Sequence, residues 1–144
     1  MKTSTLLRAS ACAFICQWSA YAFALDPLSY AKYDQVKTTA LHLDLKADFT
    51  RKTLAGYADL TLNWIDKSAT TLDLDTRELN IAKIEAQDAK GAWRPVKYTL
   101  DKPDAEKGQA LHIALPGQPA QVRIHYQTAP TAPALQWLTP KQTM

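Results

Sequence analysis

From Leu41 to Phe49 the chain alternates without a break. Leu41, Leu43, Leu45, Ala47 and Phe49 are apolar, and His42, Asp44, Lys46 and Asp48 between them are polar. Successive side chains of a strand point to opposite faces, so this pattern predicts a half-buried β-strand with one face in a core and one in water. Ala58, Leu60, Leu62 and Trp64 repeat it against Tyr57, Asp59, Thr61 and Asn63. The short polar connection Thr50 to Gly56 predicts a hairpin.

The same period continues. Leu72 and Leu74 predict a third strand, and Leu79 and Ile81 begin a fourth. Ile84 and Ala86 fall on the opposite parity, so one extra residue near Ala82 or Lys83 predicts a β-bulge. Trp93, Val96, Tyr98 and Leu100 form a fifth run, and Pro95 within it predicts an edge position. Leu111, Ile113 and Leu115 form a sixth, and Val122, Ile124 and Tyr126 a seventh. Tyr30 to Val36 has room for one turn of helix. The expected fold is therefore all-β, a curved, saddle-like sheet or β-sandwich of about seven short strands.

Residues 1–24 read as a secretory signal. Lys2 and Arg8 supply a basic start, Ala9 to Ala24 is mostly apolar, and Ala22-Phe23-Ala24 is a small-x-small cleavage site. Sixteen residues interrupted by Gln17 fall short of the ~20 that a spanning helix needs. The expected product is periplasmic or secreted, with no membrane attachment after cleavage, and residues 25–144 form the domain. Cleavage removes Cys12 and Cys16, which excludes a disulfide or a cysteine-based zinc site in the mature chain. It also removes two of the 17 basic side chains, which leaves the rest nearly balanced against 14 acidic ones. No phosphate-tracking patch is present, so nucleic acid is not an expected partner.

No catalytic constellation emerges. His42, His112 and His125 occupy polar strand positions, with no His-x-x-x-His pair and no neighbouring carboxylate at ligand spacing. They read as solvent-facing. Asp73 and Asp75 share one strand face and read as a solvated pair. Ser29 and Ser68 lie outside any Gly-x-Ser-x-Gly elbow. The four glycines, Gly56, Gly91, Gly108 and Gly117, read as turn residues. Trp64 and Trp93 follow the apolar parity and read as core. Trp137 follows no strand pattern, in an apolar tail after Pro130 and Pro133.

Five segments in order carry a family resemblance. They are Leu25-Asp26-Pro27-Leu28-Ser29-Tyr30-Ala31, Thr38-Thr39-Ala40-Leu41-His42-Leu43-Asp44-Leu45, Leu54-Ala55-Gly56-Tyr57-Ala58-Asp59-Leu60-Thr61-Leu62, Leu72-Asp73-Leu74-Asp75-Thr76-Arg77-Glu78-Leu79, and Ala134-Leu135-Gln136-Trp137-Leu138-Thr139-Pro140. Together they resemble the N-terminal β-domain of leukotriene-hydrolase-type zinc aminopeptidases. The resemblance implies a domain that packs on a thermolysin-like catalytic domain. That domain carries a His-Glu-x-x-His motif, a more distant Glu, and a Gly-x-Met-Glu-Asn stretch that binds the substrate amine. None of these motifs occurs in this sequence, so the expectation is a partial domain, incomplete at its C-terminal end. It would have no catalytic or zinc-binding residue of its own. Zinc and peptide substrate would belong to the intact parent, and the missing catalytic domain would be the partner. Gln136, Trp137, Leu138, Thr139 and Pro140 are then the candidate interdomain residues. The alternative reading of the same strands is a free-standing periplasmic β-sandwich binding module.

Overall fold

The computed structural model describes residues 26–142, so the expected signal segment lies outside the described residues. Among the described residues, eight antiparallel strands form two open sheets. They are β1 (Val36–Asp48), β2 (Thr53–Trp64), β3 (Thr71–Thr76), β4 (Leu79–Gln87), β5 (Trp93–Pro95), β6 (Tyr98–Leu100), β7 (Gln109–Ala114) and β8 (Gln121–Thr128). One sheet has the order β1-β2-β8-β4-β5 and the other β3-β7-β6. The all-β expectation holds, with eight strands rather than seven, because the fifth run splits at Pro95. A proline offers no N–H to a ladder, and the chain crosses there from one sheet to the other. Pro95 ends β5 on the outer edge of the larger sheet, as expected of it.

The predicted bulge is present, as a register shift between Ile81 and Lys83 where β4 pairs with β8. A second shift, between Thr38 and Ala40 on β1, left no trace in the apolar pattern because it precedes Leu41. The segment before β1 makes a single turn, in which Gln35 and Val36 donate to the Lys32 carbonyl. The β1–β2 turn is tighter than the sequence suggests. Gly56 lies inside β2 opposite Leu45, not in the connection. A Cβ there would collide with the Asp44 carbonyl, so only glycine fits this close approach.

The core lies between the sheets. Ile84, Val122, Leu111, Ile113 and Leu115 are fully buried, and Leu72, Leu62 and Trp64 join them. Each fully buried aliphatic side chain contributes about 1.5–3 kcal/mol. Trp64 is core, as expected, and its Nε1 donates to the Pro119 carbonyl at 2.9 Å. Trp93 is not. It lies on the outer face of the larger sheet, with the Arg123 guanidinium 4.4 Å above its ring. Arg123 is also 4.0 Å from the Tyr57 ring and donates to both oxygens of Asp59 at 2.6 and 2.7 Å. A forked cation held by two rings and a carboxylate fixes the outer face of β2, β8 and β5.

Candidate interdomain surface

The tail after β8 is anchored close to its start. Ala129 N donates to the Glu78 carbonyl, and the Thr131 hydroxyl donates to the Glu78 carboxylate at 2.7 Å. Ala132 is buried, and successive turns bring Leu135 and Trp137 back against the β1–β2 hairpin. Trp137 packs edge-on to Phe49, with ring centroids 5.8 Å apart, a favourable aromatic geometry. Ala47, Leu54, Leu135 and Leu138 complete an apolar concavity of about 440 Å³. Thr139 N and its hydroxyl both donate to Gln142 Oε1 at 2.9 Å, closing the terminal 3₁₀ turn Pro140–Gln142.

The candidate residues divide accordingly. Trp137 is half-buried on Phe49, and its indole N–H is enclosed without an acceptor among the described residues. Gln136 and Thr139 are exposed, and Leu138 is 48% exposed. The backbone of Pro140 opens the terminal turn.

A second surface feature was not expected. The apolar face of β1 exists as the alternation predicts, but the described residues leave it largely exposed. Leu41 is 59% exposed and Leu43 49% exposed, while Phe49 at the hairpin tip is 79% exposed. Leu41 and Leu43 overhang an apolar groove of about 630 Å³. It runs between β1 and β3, with Leu60, Ile81 and Tyr126 on its floor and Leu74 on its far wall. Residues of β3 line the same groove, yet Leu41 and Leu43 remain largely exposed.

The polar clusters are cross-strand constructions. Asp73 is 4% exposed, which corrects the solvated reading. Residues of the N-terminal arm cover the outer face of β3. Lys32 Nζ lies 2.7 Å from Asp73 Oδ2, and the Ser29 hydroxyl and Tyr30 N both donate to Asp75 at 2.7 Å. His112 Nδ1 lies 2.7 Å from Asp73 Oδ1, and its Nε2 lies 3.2 Å from Asp101 Oδ2. Burial works to raise the Asp73 pKa, but hydrogen bonds from Lys32 and His112 outweigh it and hold the carboxyl below its usual range. The Asp73 and Asp101 hydrogen bonds raise His112. His125 Nε2 lies 2.9 Å from Glu85, which Lys83 also approaches at 3.0 Å. His112 and His125 are therefore paired with carboxylates, while His42 is exposed, as expected. Asp73 and Glu85 come from neighbouring strands 39 and 40 residues away and Asp101 from the loop just after β6, 11 residues away, so linear spacing could not find them.

These clusters do not fit a catalytic zinc. Such a site needs three ligands converging on one point. Asp73 and Asp101 lie at opposite nitrogens of the His112 ring, and His125 has a single carboxylate. Among the described residues, no group of three or more histidine, cysteine or acidic side chains is placed to hold a metal ion.

Comparison with known proteins places this architecture. No protein-family model matches the chain. The chain is 36% identical over 123 residues to leukotriene A-4 hydrolase of Xenopus laevis, covering 82% of this chain and 19% of that protein. It is 35% identical over 121 residues to leucine aminopeptidase 2 of Yarrowia lipolytica, covering 82% of this chain and 18% of that protein. Among solved structures, native yeast LTA4 hydrolase superposes with a TM-score of 0.66 at 16% identity, over 76% of this chain and 17% of that one. At that identity the superposition shows the fold alone. The chain spans about a fifth of the length of the curated relatives it matches.

Proposed function

The chain is homologous to the N-terminal region of leukotriene A-4 hydrolase and leucine aminopeptidase 2, and from that premise we propose that it is a non-catalytic N-terminal β-domain portion of an exported zinc aminopeptidase. On this reading it has no peptidase activity alone. In the intact parent, which removes N-terminal residues from peptides, it walls the active-site cleft against large substrates. The observation that carries the reading is the uncovered apolar surface of Leu41, Leu43, Phe49 and Leu138. Exposed apolar groups of this kind mark interaction sites; Leu41 and Leu43 line one groove, while Phe49 and Leu138 line a second beside Gln136 and Trp137, in the segment most like the family. Residues 1–24 direct export and are then removed.

The gene sequence tests this. In the frame of this chain, a His-Glu-x-x-His motif with a downstream Glu is expected beyond the Met144 codon. A frame that closes or continues without a zinc motif contradicts the reading and favours the free-standing binding module.

A further inference from the structure

β1 is a 13-residue strand without proline, and it forms one edge of the five-stranded sheet. Among the described residues, only β2 pairs with it. Long flat edges template pairing with another chain unless something blunts them. The side chains of β1 set which partner fits. Its solvent face reads His42, Asp44, Lys46 and Asp48, and its inner face reads Leu41, Leu43, Leu45 and Ala47. Tyr57 lies beside Asp44 across the β1–β2 ladder, and Lys46 has no ion-pair partner among the described residues.

A second copy can add to this edge antiparallel, about a two-fold axis. The faces match only if the axis passes through a residue, because a slip of one residue exchanges the faces. An axis through Asp44 sets that carboxylate against its own copy. An axis through Lys46 opposes two lysines and also sets Asp44 against Asp48. An axis through Leu43 pairs Asp44 with His42 but leaves Lys46 opposite Ala40. An axis through Leu45 pairs Asp44 with Lys46 and His42 with Asp48, each twice by symmetry. Leu43 then meets Ala47, and Leu45 meets itself.

We propose that this chain forms a two-fold dimer through antiparallel β1–β1 pairing centred on Leu45, which joins the two five-stranded sheets into one. Opposite charges directly across an antiparallel pair are favourable and like charges are not, so the register is written in the charges. Such an interface is isologous. The inference does not rest on the aminopeptidase reading and concerns this chain by itself.

Sedimentation velocity of the full chain over a concentration series tests it. Wild type is expected to dimerise. Asp44→Lys opposes like charges at both contacts with Lys46, and Lys46→Asp does the same with Asp44. Each single variant should weaken dimerisation roughly tenfold or more. The double variant Asp44→Lys/Lys46→Asp should recover it, and the two single variants should associate when mixed. A wild type that is monomeric throughout, or single variants that dimerise as well as wild type, overturns the proposal. So does self-association abolished by Trp137→Ser and untouched by the charge changes.

Circular dichroism checks that each variant is folded. Should a charge variant fail to fold, cross-linking decides instead. In a Cys12→Ser/Cys16→Ser background, Leu45→Cys should oxidise to a covalent dimer, because directly opposed antiparallel residues lie within disulfide reach. Leu43→Cys should not. Equal or faster cross-linking at position 43 contradicts the register.

Discussion

Asp73 on β3 and His112 on β7 face each other as directly paired residues, with Oδ1 and Nδ1 2.7 Å apart. The contact ties the two strands on their outer face, while Lys32 ties the N-terminal arm to the same carboxylate. Removing the carboxylate therefore loosens two attachments at once. Asp73→Ala should lower stability by about 1–3 kcal/mol, the range for losing hydrogen bonds to a buried charged group. Denaturant unfolding measures it. The arm should also become more open to proteolysis, since Asp75 and the contact of Lys107 with the Tyr30 ring are left to hold its first residues. An unchanged midpoint with an unchanged cleavage pattern contradicts this.

The same pair sets a pH dependence with two signs. The pKa of His112 is raised on folding. Its contribution is full below the unfolded histidine pKa and is lost as pH rises through the folded value. The pKa of Asp73 is lowered. Its contribution is present above the unfolded carboxyl pKa and is lost as pH falls through the folded value. The stability difference between wild type and His112→Gln should shrink as pH rises through and beyond the histidine range. Denaturation midpoints across that range check it, and a difference that grows with pH contradicts the assignment.

Much of this fold was legible in the alternation. Leu41 to Ala47, Ala58 to Trp64 and Val122 to Tyr126 all form strands on the faces their parity predicts. The bulge before Lys83 was visible because an inserted residue shifts every later side chain to the other face. Burial was less legible, because it depends on what lies across from a residue. Asp73 is polar by parity, yet Lys32 and the arm cover it from 41 residues upstream in sequence. Leu41 is apolar by parity, yet it stays 59% exposed at the rim of its groove. Trp93 lies an odd number of residues before Val96, Tyr98 and Leu100, across the break at Pro95, and so faces the other way, where the outer-face Arg123 receives it. The apolar tail was legible as a surface candidate, and its packing partner Phe49 was not, since the two meet only through the hairpin.

Gly56 gives a test of the β1–β2 ladder. Gly56→Ala places a methyl group against the Asp44 carbonyl, so β1 must shift. A loss of about 1–3 kcal/mol is expected, the cost of a strained backbone position. Hydrogen exchange should show the loss concentrated in β1 and β2. Uniform protection equal to wild type contradicts the close approach.

Trp137 and Leu138 should behave as a surface rather than a core. Trp137→Ser/Leu138→Ser removes one aromatic pair with Phe49, worth about 0.5–1.5 kcal/mol. Light scattering from aggregates larger than the β1–β1 dimer should fall, because an exposed apolar patch is reduced. A sharp drop in the unfolding midpoint, well beyond that range, shows instead that Trp137 completes a closed core.

Export gives an independent check on residues 1–24. Terminal sequencing of the exported protein should begin at Leu25 or close by. An exported protein that retains Met1 contradicts the signal reading.

On the proposed reading, this chain is a non-catalytic β-domain and the chemistry of its relatives resides in another part of the parent. Metal analysis of the purified chain after equilibration with zinc, alongside an aminoacyl-nitroanilide assay, tests it most directly. No stoichiometric zinc and no turnover are expected, because no three ligands converge among the described residues. About one tightly held zinc per chain, lost on changing His112 or His125 and accompanied by hydrolysis, contradicts it.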